Sequence, residues 1–254
     1  MKATDLVFLH SGLIGLGKLE GATPTITQAF AEVLSQGILL IPTFTYSWCN
    51  GQEFDPCATQ CGPDVGGYSQ AAWKDPRFRR SCDPNFSVAA LTNASNQAEV
   101  EAILTVGNSC FGKGSVFDHM YAATQKRDGF IILLGGAHSD EVLRTTFIHY
   151  LEEKCSVPSR YLKEFTDPKD RSRHVRQLVR FTSLDEYRAV TGRPQAPYTF
   201  PIRSDYSRLG RDLLQRGMVV RKNFGYSQTR MVRVREFCDF VEQQLKKSPD
   251  YFVR

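Results

Sequence analysis

Histidine is the side chain that most readily exchanges a proton near neutral pH. Five are present, and they lie at His10, His119, His138, His149 and His174. His10 and His138 follow apolar runs that predict strands, and functional side chains of α/β proteins often lie just past strand ends. His149 lies in FIHYLEE, a run that predicts a helix, where His149 and Glu152 share one face. An imidazole beside a carboxylate is typical of a general base, but it is also a common surface pair, so both interpretations stay open.

Two kinds of site do not fit the spacing. Gly12, Gly15 and Gly17 stand in the wrong order for a dinucleotide fingerprint. His149-x-x-Glu152 lacks the second histidine of a helical zinc motif, and Cys57-x-x-x-Cys61 has no partner pair. We therefore expect no metal. A cysteine nucleophile served by a histidine stays open, although nothing singles out one cysteine.

Composition points to one α/β domain spanning residues 1–254. The chain has 41% hydrophobic residues, which is enough for one sizeable core. No stretch is long enough to cross a bilayer, and the first residues do not form a signal peptide. Seven cysteines without regular spacing predict reduced thiols in a cytoplasmic protein.

The net charge of +5 comes largely from residues 159–180 and 202–235. This excess suits either a solvated basic surface or a place where phosphate groups bind. Because no nucleic-acid-binding module accompanies the charge, we do not expect a nucleic-acid partner.

Apolar patterning predicts alternating strands and helices. The predicted strands span 5–9, 38–41, 86–91 and 130–134, and the predicted helices span 23–35, 67–74, 97–104, 116–124 and 231–247, with a further helix around His149. Residues 46–67 predict a long ordered loop, whereas 156–205 read as basic and irregular.

Several sequence blocks, in this order along the chain, resemble the aminoglycoside 3-N-acetyltransferase family. They are His10-Ser11-Gly12-Leu13, Gly21-x-x-Pro24, Gly37-x-Leu39-x-Ile41-Pro42-Thr43-Phe44-Thr45, Phe54-Asp55-Pro56, Arg80-Ser81-x-x-Pro84-x-Phe86-Ser87, Phe111-Gly112-x-Gly114-Ser115, Leu133-Leu134-Gly135-x-x-His138 and Thr146-x-x-His149-x-x-Glu152. The resemblance implies a three-layer α/β sandwich whose central mixed sheet lies between helices. It also implies transfer of an acyl group from acetyl-CoA, or another short-chain acyl-CoA, to an amine.

The resemblance also assigns roles to residues. His149 matches the catalytic histidine that deprotonates the amine, and Glu152 matches the acid one helical turn later. The carboxylate that supports the histidine is expected further along, at Asp185 or Glu186. The residues expected to bind CoA are His10, Ser11, Gly12, Leu13, Thr43, Phe111, Gly112 and Ser115. The residues expected to bind the acceptor are Tyr46, Phe54, Asp83, His138, Thr146, Arg160 and Tyr161.

The expected acceptor is a small molecule. Many family members carry a histidine where this chain has Asp83, and the segment around Arg160 and Tyr161 is similar to the branch that acylates amino deoxysugars carried on a nucleotide diphosphate. The basic charge fits such an acceptor, which would be a dTDP-sugar used for surface lipopolysaccharide. The alternatives are an aminoglycoside acetyltransferase of the resistance type and an inactive relative that binds CoA or a partner protein. We expect no membrane partner, and a homodimer stays open.

Overall fold

The computed structural model of the chain describes residues 1–137 and 144–254. The strands in these ranges are β1 (Leu6–Ser11), β2 (Ile38–Pro42), β3 (Phe78–Arg80), β4 (Val88–Leu91), β5 (Gly129–Ala137), β6 (Arg160–Thr166), β7 (His174–Arg180), β8 (Val220–Phe224) and β9 (Ser227–Arg233). The α-helices are α1 (Ala22–Val33), α2 (Gly67–Ala72), α3 (Gln97–Leu104), α4 (Val116–Ala123), α5 (Phe147–Lys154), α6 (Leu184–Thr191), α7 (Ser207–Gln215) and α8 (Val234–Lys247).

Seven of these strands form one mixed sheet in the order β3-β4-β2-β1-β5-β9-β8. The central strand β1 pairs in parallel with both β2 and β5. The outer pairings, β2–β4, β3–β4, β5–β9 and β8–β9, are antiparallel. The mixed α/β sheet expected from the resemblance is confirmed.

Alternation along β1 sends successive side chains to opposite faces of this sheet. Leu6 and Phe8 pack into the apolar cluster that includes residues of α3, α4, α5 and α8. Val7 and Leu9 pack into a second cluster, with residues of α1 and α2. The sheet therefore lies between two helical layers. His10 continues the series of Leu6 and Phe8, which places it on the α5 side.

Residues 160–180 form a separate antiparallel hairpin of β6 and β7. Its first and last residues, Arg160 and Arg180, lie directly opposite each other. The expectation that 156–205 is irregular was therefore wrong. All side chains of β6 are exposed or half-buried. The sequence of this strand therefore lacks the alternation of apolar and polar residues that predicts a half-buried strand.

Other boundaries also differ from the expectations. The strand expected over 86–91 begins at Val88, because the Asp83 carboxylate holds Asn85 and Phe86 in a turn by accepting their backbone N–H groups. The helix expected over 231–247 begins at Val234, since the preceding residues pair with β5 as β9. Within residues 1–137 and 144–254, no helix has both the length and the apolar character needed to span a bilayer.

Candidate active site

A cavity of about 380 Å³ opens where β1 ends and α5 begins. The residues that line it are His10, Phe44, Tyr46, Asp64, Phe86, Arg144, Thr145, Thr146, Ile148, His149 and Tyr206. They come from the end of β1, the loop after β2, the turn before β4, the residues just before α5 and its first turn, and the residue before α7. This is the edge of an open α/β sheet where ligands usually bind.

His149 and Glu152 form the polar pair of this cavity. His149 Nδ1 lies 2.7 Å from Glu152 Oε2. Because a carboxylate only accepts hydrogen bonds, Nδ1 carries the proton and Nε2 keeps its lone pair. The ring of Phe111 packs against the imidazole with its centroid 5.2 Å away. The imidazole is thus held in the tautomer that a general base requires.

Two arginines contact the same carboxylate from the hairpin. Arg160 Nε lies 2.9 Å from Glu152 Oε2, and Arg180 Nη2 lies 3.9 Å from Oε1. Burial by itself would raise the pKa of the Glu152 carboxyl, but the hydrogen bond from His149 and the charges of His149, Arg160 and Arg180 outweigh it, so the pKa lies below its ordinary value. Glu152 is therefore ionised at neutral pH.

Burial lowers the pKa of His149, an effect to which Arg160 and Arg180 add and which Glu152 partly offsets. The imidazole is consequently neutral near pH 7. A neutral imidazole with an unoccupied Nε2 can accept a proton from a bound amine.

His10 faces the cavity from the other side. Its Nε2 lies 3.2 Å from the Thr145 hydroxyl, and its ring meets the edge of Phe8 at 4.6 Å. Burial lowers the pKa of His10 to about 4. His10 is a neutral polar group in the wall, and a hydroxyl rather than a carboxylate is its partner.

The outer part of the cavity carries Tyr46, Asp64 and Arg144. Tyr46 has a left-handed backbone with φ 58°, a conformation that is uncommon for a bulky residue and is concentrated at functional sites. Burial and the charge of Asp64 raise the pKa of Tyr46 to about 12, so its hydroxyl keeps its proton.

The residues expected to bind CoA lie in two groups. His10, Ser11, Gly12 and Leu13 form the end of β1 and the start of a 3₁₀ turn, and the buried Ser11 Oγ has no hydrogen-bond partner in the described part of the chain. Elsewhere, Thr43 is buried with its hydroxyl 3.1 Å from that of Ser87.

The second group precedes or caps α4. Phe111 is buried against His149, and Gly112 donates its N–H to the Ser109 hydroxyl. Ser115 is the N-cap of α4 and accepts a hydrogen bond from the Asp118 N–H.

The two carboxylates expected to support His149 have other partners in the structure. Asp185 is 93% exposed on α6 and pairs with Arg188, while Glu186 accepts a hydrogen bond from Tyr161. The carboxylate in contact with His149 is Glu152 itself. Glu152 lies three positions after His149 on the same helix.

Several residues expected to bind the acceptor have structural partners instead. Asp83 is buried and caps the turn before β4. Phe54 packs under the guanidinium of Arg80 at 5.1 Å. Arg160 pairs with Glu152, and Tyr161 lines a separate cavity beyond the hairpin.

Tyr46 and Thr146 do line the cavity, together with His10 and His149. His138 lies outside the described residues. Asp64 and Arg180 were not selected from the sequence, because Asp64 lies in a long loop without periodicity and Arg180 ends a strand that was not predicted. Only their packing in space assigns them to this site.

Comparison with known proteins gives one family. The sequence model of the aminoglycoside 3-N-acetyltransferase family matches residues 8–246. An aminoglycoside N(3)-acetyltransferase IV from Salmonella sp is 25% identical over 154 residues, which cover 60% of this chain and 54% of that protein. The chain therefore aligns with about half the length of this relative.

Two solved structures share the fold. A variant of aminoglycoside acetyltransferase AAC(3)-IVa, with a histidine replaced by alanine and a gentamicin bound, has a TM-score of 0.73 at 21% identity, over 99% of this chain and 85% of that one. The binary complex of AAC-IIIb with CoASH has a TM-score of 0.69 at 18% identity, over 96% of this chain and 90% of that one.

Proposed function

This chain belongs to the aminoglycoside 3-N-acetyltransferase family, and we propose that it transfers an acetyl group from acetyl-CoA to an amine of an aminoglycoside. The observation that carries this proposal is the neutral imidazole of His149. Its Nδ1 is fixed by Glu152, and its Nε2 has no hydrogen-bond partner among the described residues of the cavity. This arrangement is suited to removing a proton from an amine.

The mechanism is direct transfer. An amine with a pKa of about 8 is partly protonated at neutral pH, and its free-base form is the nucleophile. As its nitrogen attacks the thioester carbonyl, His149 Nε2 accepts the proton that the nitrogen loses. The charge on the resulting imidazolium is stabilised by Glu152. The C–S bond of the thioester then breaks and CoA leaves as a thiolate, which takes up the proton from the His149 imidazolium. The step therefore needs no covalent enzyme intermediate and no catalytic cysteine.

The acyl-CoA substrate is proposed to lie along the loop after β1. Ser11 Oγ on β1 and Ser227 Oγ on β9 are both buried without hydrogen-bond partners in the described part of the chain. The loop packs tightly here, since a Cβ at Gly15 would collide with Ser227. Buried hydroxyls without partners are costly unless a ligand or water satisfies them, so these two suit a polar ligand such as the pantetheine arm.

The cavity also favours a cationic acceptor. Asp64 has no ion-pair or hydrogen-bond partner in the described ranges and borders the space in front of His149. A polycationic aminoglycoside supplies ammonium groups for such a carboxylate. Arg160, which was expected to bind the acceptor, is already paired with Glu152.

A second candidate acceptor is a nucleotide-linked amino deoxysugar. Arg144 is exposed at the cavity rim, and Tyr46, Phe86 and Tyr206 provide aromatic surfaces for a base. Among the described residues that line the cavity, Arg144 is the one cation for a diphosphate, whereas the basic segments of the sequence suggested several.

The decisive experiment measures thiol release from acetyl-CoA with gentamicin, apramycin or a dTDP-amino sugar as acceptor. We expect turnover with an aminoglycoside, and its loss in His149→Gln. Turnover with the nucleotide sugar alone would establish the second acceptor. Absence of turnover with all three would favour the inactive CoA- or partner-binding relative.

A further inference from the structure

The Glu152 carboxylate is held by more cationic groups than the pairing with His149 requires. Arg160 and Arg180 are both within ion-pair distance of it, and their side chains are only 8% and 16% exposed. Among residues 1–137 and 144–254, no other carboxylate pairs with either guanidinium. Burying two cations beside one anion leaves a positive charge that is not neutralised, and its desolvation costs free energy.

The two arginines are also joined to each other through a hydroxyl. Tyr206 Oη accepts a hydrogen bond from Arg160 Nη2 at 3.0 Å and from Arg180 Nη2 at 3.3 Å. Arg180 Nη1 donates to the Ser204 hydroxyl. Because Arg160 and Arg180 are cross-strand neighbours in the hairpin, the backbone fixes their spacing before any side-chain contact forms.

We propose that Arg160 and Arg180, bridged by Tyr206, are positioning residues that orient Glu152 toward His149 and stop this carboxylate from drawing a proton permanently onto the imidazole. This role rests on the proposed function of His149 as the base. The β6–β7 hairpin does not line the cavity, but its two arginines act on His149 through Glu152.

The physical reason is charge compensation. An isolated carboxylate 2.7 Å from an imidazole stabilises the imidazolium and makes the histidine a poor base at neutral pH. Two guanidinium groups offset that negative charge while leaving the Nδ1–H hydrogen bond in place. Glu152 then fixes the tautomer of His149 without keeping the ring protonated.

The other groups that surround His149 do not supply this compensation. The titratable and charged groups facing it are Glu152 from α5, His10 from β1, Tyr46 and Asp64 from the loop after β2, Arg144 before α5, Arg160 from β6, Arg180 from β7 and Tyr206 before α7. Asp64 favours the imidazolium and Arg144 opposes it, and both are exposed enough for solvent to screen them.

The first test uses NMR on the substrate-free protein. The Cε1–H signal of His149, assigned by its loss in His149→Gln, is titrated in the wild type, Arg160→Met and Arg180→Met. We expect the pKa of His149 to rise by about one pH unit in Arg160→Met. The rise should be smaller in Arg180→Met, whose guanidinium is farther from the carboxylate. Arg160→Lys should return the pKa toward the wild-type value, since the charge is kept.

Arg188→Met is the matched control, because Arg188 pairs with the exposed Asp185. Its His149 titration should match the wild type. An unchanged pKa of His149 in both Arg160→Met and Arg180→Met would overturn the proposal. If Arg160→Met does not fold, Arg180→Met gives the same test, and an unchanged pKa there is decisive. These readouts need no acceptor, so they stand even if the proposed acetyl transfer fails.

The second test is the pH profile of kcat/KM with an active acceptor. In Arg160→Met the acidic limb should move to higher pH, while the rate at alkaline pH stays within about tenfold of the wild type. A purely structural role would lower the rate at every pH and leave the limb in place, which would contradict the proposal.

Discussion

The cavity has two walls that carry the same kind of side chain in different surroundings. On the strand wall, His10 lies next to the last residue of β1, and among the described residues it contacts the Thr145 hydroxyl and the ring of Phe8. On the helix wall, His149 contacts Glu152, behind which lie the arginines of the hairpin. Burial lowers the pKa of both imidazoles.

The two walls differ in how they stabilise the protonated form of their histidine. An imidazolium at His149 is stabilised by a carboxylate, whereas one at His10 has no anionic partner within the described residues. Burial alone gives a neutral histidine, and burial with an adjacent carboxylate gives a base that can be reprotonated. We therefore expect helix-wall substitutions to alter kcat and strand-wall substitutions to alter substrate binding or stability.

Replacing His149 should have the largest effect on activity. In His149→Gln the amide cannot accept and carry the proton, so kcat should fall by roughly 10²–10⁴ while the fold is retained. Steady-state kinetics and circular dichroism measure the two quantities. His10→Gln is the matched change on the strand wall and should lower kcat by less than about tenfold. An equal loss in both variants would remove the distinction between the walls.

Glu152→Gln should damage both activity and stability. The neutral amide leaves the buried charges of Arg160 and Arg180 without a counter-ion, which typically costs about 3–5 kcal/mol of unfolding free energy. Loss of the fixed tautomer should also lower kcat by about 10- to 100-fold. Denaturant unfolding and steady-state kinetics provide the measurements.

Asp185→Asn provides the comparison for Glu152→Gln, because Asp185 is the acid that the sequence favoured and it lies exposed on α6. We expect it to leave both quantities unchanged. A large loss of activity in Asp185→Asn would return the supporting role to that residue.

Some elements of the fold can be predicted from the sequence and others cannot. The strands at 5–9, 38–41 and 130–134 were predicted because buried parallel strands are continuous apolar runs. The hairpin of β6 and β7 was missed because its side chains are largely polar. Its pairing depends on backbone hydrogen bonds and on neighbours distant in sequence, which a single sequence does not display.

Likewise, the site residues that lie close in sequence could be predicted, and those from distant elements could not. His149 and Glu152 were found because both lie on one helix, where a spacing of three implies contact. Arg180 and Tyr206 reach the same carboxylate network from other elements, and no local pattern links them to α5. Arg160 was expected to bind the acceptor because its charge is visible in the sequence, whereas its pairing with the buried Glu152 is not.

His10 should make the free energy of unfolding depend on pH. Its pKa is about 4 in the folded protein, against about 6.5 in the unfolded chain. The unfolded chain therefore binds the proton first as pH falls, so the contribution of His10 is complete above pH 6.5 and is lost as pH falls through 4. The lost stability is roughly 3 kcal/mol, at about 1.4 kcal/mol for each unit of the pKa difference.

The check is the difference in unfolding free energy between wild type and His10→Gln, measured at pH 7 and at pH 4.5. The difference removes the carboxylates that titrate in the same range. Relative to its own value at pH 7, the variant should lose less stability than the wild type. Parallel losses in the two proteins would show that burial does not hold His10 neutral.

Asp64 should have the smallest effect, and it tests the substrate-binding half of the comparison. The carboxylate lies at the cavity border beside Tyr46 and is open to solvent, so an ion pair with an ammonium group of the acceptor is partly screened. Asp64→Asn should raise KM for an aminoglycoside by about two- to fivefold, equivalent to about 0.4–1 kcal/mol, with little change in kcat. The increase should shrink at high salt, where the wild-type attraction is weaker.

Asp55→Asn, in the same long loop but outside the cavity lining, serves as the charge-matched control. A fall in kcat with unchanged KM would place Asp64 in the chemistry rather than in binding. An unchanged KM and kcat would show that Asp64 does not bind an ammonium group of the acceptor.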